Sequence, residues 1–216
     1  AAPPPLIGLQ GRASILPLMN FDLAGTSLLK EWKEHIFHGK TLYSIEIERD
    51  QAKFLRAFSQ GTSSVLFKEI QMKPSERPIL KWEWRAVRFP SNKQNRILAA
   101  KPDNDFAARV YAVFKGKLPF SSDVIQYVWD DHFPEGAFAT SPFAKNVRIL
   151  VIQGGAQNDS GGWVSEERDL VEDYKLLFGK APSGDLMGVG IMSDSDNTGT
   201  SSEAHFRHLA IEKFRI

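Results

Sequence analysis

The feature that most constrains this chain is a period of two. In "TLYSIEIERD", Tyr43, Ile45 and Ile47 alternate with Ser44, Glu46 and Glu48, the pattern of a strand with one dry face and one wet face. "AKFLRAFSQG" and "SSVLFKEIQM" follow, joined by the hairpin-like "SQGTS". "PILKWEWRAVRF" enters through Pro78, which a strand start tolerates. "FAARVYAVFKG" is apolar on both faces except at Arg109 and reads as a central strand. "DVIQYVW", "VRILVIQGG", "LMGVGIMSDSDN" and "SEAHFRHLAIEKF" continue the series. Roughly nine or ten short strands at hairpin-like spacing, without βαβ alternation, predict an all-β fold, an antiparallel β-sandwich or jelly roll.

One or two short helices interrupt it. "SLLKEWKEHIF" is compatible with a helical turn or two. "SEERDLVEDYKLLFG" is the stronger signal. Ser165 is a good N-cap, Glu166 and Glu167 suit the positive end of the dipole, and Gly179 can supply the left-handed cap. Leu170, Tyr174 and Leu177 fall on one stripe. Trp163, just ahead of that cap, is expected to fix the angle at which the helix meets the sheet.

The chain has 216 residues, 42% of them apolar, enough for one sizeable core. Residues 1–20, with four prolines and two glycines, read as an extended arm, and 21–216 as a single domain. Charge is balanced, 27 basic against 26 acidic residues, so no field favours a nucleic acid or an anionic membrane. The absence of cysteine excludes disulfides, thiolate metal sites and cysteine nucleophiles. No run of 18 apolar residues exists to form a transmembrane helix. The opening "AAPPPLIGLQGRA" starts with small residues of the kind left after signal-peptide cleavage, so a periplasmic or secreted location is the expectation.

Several constellations could carry function. Trp82 and Trp84, two apart in "LKWEWRAVRF", share one face of their strand. They either fill the core or form a platform for stacking a sugar ring, with Arg109, Tyr127 and Trp129 as further candidates for the same concave face. Arg109 needs a partner if buried, and Asp103, Asp105 or Glu83 could supply one. "SDSDNTG" begins like a calcium loop with Asp194, Asp196 and Asn197 as ligands. His205 stands at position twelve, where a glutamate is required, so an EF-hand is excluded. A calcium site of another geometry and a solvated turn held by Asx bonds both stay open. His35 and His38 would share a helix face and could hold zinc beside Glu34, whereas His205 and His208, three apart on a strand, diverge. No GxSxG, HExxH or P-loop occurs. Neighbouring carboxylates such as Asp130 with Asp131, or Glu166 with Glu167, diverge too far to flank one glycosidic bond, while a distant pair such as Glu46 with Asp130 is invisible to sequence.

The order of "LKWEWRAV", "DNDFAARVYAVF", "YVW", "SPF", "GGWVSEERDLVEDYKLLFG" and "VGIMSDSDNTGTSSEAHF", from about Leu80 to Phe206, resembles a family of bacterial exported proteins known only as domain-of-unknown-function family 3047. The resemblance implies a jelly roll similar to the galactose-binding-like modules, and no activity. The leading expectation is a non-catalytic binding module for a glycan or another cell-envelope component. The alternatives are an accessory subunit of an extracytoplasmic assembly, with the proline-rich arm as a strap, and a glycan hydrolase or lyase.

Overall fold

In the computed structural model, which describes residues 13–19, 21, 31–91, 95–118, 121–154 and 162–214, the period-two runs become strands of two stacked sheets. The strands are β1 (Ala13–Pro17), β2 (Lys33–His38), β3 (Leu42–Ile47), β4 (Lys53–Gln60), β5 (Ser63–Met72), β6 (Ile79–Arg88), β7 (Ala108–Lys115), β8 (Ser122–Asp130), β9 (Phe138–Thr140), β10 (Val147–Gly154), β11 (Val164–Asp169), β12 (Leu186–Met192) and β13 (Ser201–Phe214). One sheet runs β11-β6-β13-β4-β3, with β1 added along the far half of β13. The other runs β2-β5-β12-β7-β8-β10-β9. The fold is a β-sandwich, and its pairings are antiparallel except that β8 and β10 run parallel.

Burial follows the alternation. Ala108, Val110, Ala112 and Phe114 of β7, and Ile125, Tyr127 and Trp129 of β8, face inward against Trp82, Trp84, Phe206 and Ile211 of the facing sheet. Trp82 and Trp84 meet edge to face at 5.4 Å between centroids. Tyr127 lies 5.6 Å from Trp82, and Trp129 lies 5.6 Å from Trp84. Four aromatic side chains from two strands thus form the middle of the core, each burying about 150–250 Å².

The helix Leu170–Phe178 closes one end of the sandwich through Leu170, Tyr174 and Leu177, all buried. Gly179 caps it in the left-handed region at φ 69°, as expected. The N-cap is not Ser165 but Asp169, whose side chain accepts from the amides of Val171 and Glu172. Residues 164–169 extend instead as β11, because pairing with β6 satisfies backbone groups that a helix there would turn away from the sheet edge. The same competition decides residues 33–38. They form edge strand β2 on β5 rather than a helix, so His35 and His38 do not share a helical face. Ala13–Pro17, within the expected arm, pairs with β13 of its own chain, and residues 1–12 lie outside the described residues.

Arg96 holds the long excursion between β6 and β7. Its Nη1 donates to both oxygens of buried Asp130 at 2.9 and 2.7 Å, and its Nη2 to the carbonyls of Asp103 and Asp105 at 3.0 and 3.2 Å. This delivers Asn104 and Asp105 to the outer face of the seven-stranded sheet.

Candidate functional site

Alternation that sends one set of side chains inward sends the other outward, and on the seven-stranded sheet the outward set builds a groove of about 520 Å³. Its floor is Val65 and Phe67 of β5, Met192 of β12, Arg109, Tyr111 and Val113 of β7, and Val124 and Gln126 of β8. Central strand β12 presents glycine there. A Cβ on Gly188 would lie 2.1 Å from the Phe67 ring, and one on Gly190 would lie 2.8 Å from a Val65 methyl, so the absent side chains let those neighbours lie across the strand. His35 and Phe37 of β2 form one wall, and Phe143, Ala144 and Val147 the other. Phe37 is 65% exposed and Phe143 is 57% exposed.

One end of the groove is polar. Arg109 lies there 2% exposed, donating through Nε to Asp194 Oδ1 at 2.8 Å and through Nη2 to Asp194 Oδ2. Its Nη1 donates to Gln126 Oε1 at 3.0 Å, its Nη2 to Asn104 Oδ1 at 3.1 Å, and its plane stacks on Phe106 at 4.5 Å. Burial raises the Asp194 carboxyl, while the Arg109 guanidinium bonded to it pulls it back toward the ionised form. Burial also pushes up Asp196, aided by the charge of Asp105, and lifts the Tyr111 hydroxyl to about 12.

Of the aromatic platform expected from sequence, only Arg109 reaches this groove. Trp82, Trp84, Tyr127 and Trp129 are brought together on the opposite side of the sheets, in the core, at no more than 3% exposure. On β8 the outward residues are Val124 and Gln126, one step out of phase with the expected Tyr127 and Trp129. The partner of Arg109 is Asp194, whereas Glu83 pairs with Arg207 at 2.5 Å and Asp103 accepts from the amide of Ile97. Trp163 lies half-buried on the outer face of the other sheet, ahead of β11 rather than at a helix start, with Arg85 and Arg207 over its ring at 4.6 and 4.1 Å. Sequence reasoning missed Phe37, Phe67, Tyr111, Phe143 and Gln126. The signal for the floor was present in the spacing of Gly188 and Gly190.

The expected metal ligands Asp194, Asp196 and Asn197 line the polar end, and carboxylate oxygens of Asp105, Asp194 and Asp196 lie within 4.8 Å of one another. Two of the three carboxylates are already engaged by protein donors. Asp194 takes the guanidinium and the amide of Phe106. Asp105 takes the amides of Asn197 and Thr198 at 3.2 and 2.7 Å and Asn197 Nδ2 at 2.9 Å. The positive charge facing this cluster in the structure is the Arg109 guanidinium, whose repulsion a bound cation would meet. His205 and His208 share no site: the first packs over Phe54 at 4.4 Å and the second is exposed at a bulge with φ 55°. Glu46 and Asp130 stand on different sheets, Asp130 locked to Arg96.

The sandwich with a groove on one sheet face is the class this geometry defines. Residues 30–210 match the family model described as "Protein of unknown function (DUF3047)", and the chain belongs to that family. No curated protein matches it. Among solved structures it is similar to the family 30 carbohydrate-binding module of the cellulosomal cellulase Cel9D-Cel44B of Clostridium thermocellum. The TM-score there is 0.43 at 11% identity, covering 84% of this chain and 90% of that one. It is also similar to an exo-beta-agarase, with TM-score 0.34 and 12% identity, covering 91% of this chain and 24% of that one. Among the described residues no helix is long and apolar enough to cross a membrane.

Proposed function

We propose that this chain is a binding module that holds a glycan of the cell envelope or its surroundings in the groove of the seven-stranded sheet, outside the cytoplasm. The observation that carries this reading is the groove itself. It has an apolar floor, exposed phenylalanines on both walls and a polar end, within the volume range of small-ligand sites. Phe37 and Phe143 offer faces on which the C–H side of a pyranose can stack, while Asp196 and Asn197 at the end suit hydroxyls. Affinity electrophoresis against a panel of neutral and acidic polysaccharides tests it. Retardation by at least one polymer is expected, reduced in Phe37→Ala and Phe143→Ala. Unretarded migration in every polymer sinks the proposal.

A further inference from the structure

We infer that Gln126 is the specificity-determining donor of the groove, and that the groove accepts an uncharged sugar through an oxygen placed against the Gln126 Nε2 amide. This rests on the glycan reading. Gln126 is 8% exposed on the groove floor, directly across from Tyr111 in the β7–β8 ladder. Its orientation is not free. A guanidinium can only donate, so the Arg109 Nη1 contact at 3.0 Å fixes Oε1 toward Arg109 and turns the NH₂ group away. Arg109 is itself held by both oxygens of Asp194, by Asn104 and by stacking on Phe106. The chain Asp194 to Arg109 to Gln126 therefore presents one rigid amide to the groove, and the described residues offer its Nε2 no acceptor.

The Gln126 side chain is about nine-tenths buried and its amide has no acceptor among the described residues, so a ligand that covers it without supplying an oxygen leaves the donor desolvated and unpaired. Hydroxyl, ring and acetamido oxygens qualify, and so would a carboxylate or sulfate. Charge separates these. One guanidinium at this end faces the carboxylates of Asp105, Asp194 and Asp196, so its surroundings are net negative and repel an anionic sugar. Asp196 accepts from Asn197 Nδ2 at a long 3.4 Å and can also accept from a hydroxyl. A donor beside an available carboxylate matches neutral sugar hydroxyls, which both give and receive. In this scheme Arg109 is a positioning residue that acts through Gln126.

The test uses the full chain with the polymer that retards it most. Gln126→Leu keeps the volume and removes the donor, together with the Oε1 that accepts from Arg109 Nη1. The expected result is a weakening of about tenfold, the equivalent of one hydrogen bond near 1.4 kcal/mol, measured well below a melting temperature that falls because buried Arg109 Nη1 loses its acceptor. A parent protein that prefers neutral polymers to uronate or sulfated ones supports the inference. Preference for an anionic or a chitosan-like cationic polymer overturns it while leaving glycan binding intact, as does a Gln126→Leu variant that binds like the parent. Failure of the parent to bind any polymer overturns both. Should Gln126→Leu not fold, the side-chain amide resonance of Gln126 in the parent decides: displacement on titration supports the assignment, and an unmoved resonance overturns it.

Discussion

Arg109 Nε stands 2.8 Å from Asp194 Oδ1, joining β7 to the turn just past β12, two residues beyond the Met192 that pairs with Arg109 across the ladder. Both side chains are at most 3% exposed, so neither charge has water to fall back on. Asp194→Ala leaves the guanidinium buried and uncompensated and should lower stability by about 3–5 kcal/mol. Chemical denaturation at neutral pH measures this, and a loss comparable to that of an exposed pair such as Lys33 with Glu69 would contradict the assignment.

The two core tryptophans should respond differently to the same change. Trp84 Nε1 donates to Glu166 at 3.2 Å, whereas Trp82 Nε1 is buried with no partner among the described residues. Trp→Phe removes an unsatisfied donor at Trp82 and a satisfied one at Trp84, where burial already raises Glu166 and the loss of a donor raises it further. Trp84→Phe is expected to cost about 1 kcal/mol more than Trp82→Phe. Equal costs in urea denaturation would show that packing alone decides both sites.

His205 gives a pH dependence with a defined sign. Burial lowers its pKa below the ordinary 6.5, against the opposing hydrogen bond to Glu203, while Arg85 Nε donates to its Nδ1 at 2.9 Å. A depressed pKa in the folded state means the unfolded chain takes up the proton first. The stabilising contribution is present above pH 6.5 and is lost as pH falls through the lower folded value. The melting temperature should drop as pH falls from 6.5 through the folded value, and His205→Asn should flatten this part of the profile. A parent profile no steeper than that of His205→Asn below pH 6.5 would count against it.

Calcium should leave the melting temperature where chelator leaves it. Arg109 already sets a positive charge against Asp194, so a calcium ion at this cluster would meet repulsion that offsets its attraction to the carboxylates. A clear rise in millimolar calcium, abolished by Asp196→Asn, would show that a cation competes with the guanidinium.

Sequence alone was enough for the sandwich, because alternation such as Tyr43, Ile45 and Ile47 is a local property that any exposed face and any dry face impose in the same way. It also located Gly179 as a cap and Leu170, Tyr174 and Leu177 as the buried stripe, both set within one helix. It could not choose which sheet face would be covered. Trp82 and Tyr127 share the core because β6 and β8 come to lie in opposite sheets, and that stacking turns Gln126 and Tyr111 outward into the groove. Asp194 rather than Asp103, Asp105 or Glu83 became the partner of Arg109 for the same reason: β12 is the neighbour of β7 across 85 residues of chain. Periodicity fixes which residues point together. Only strand order decides whether they point at a core or at a ligand.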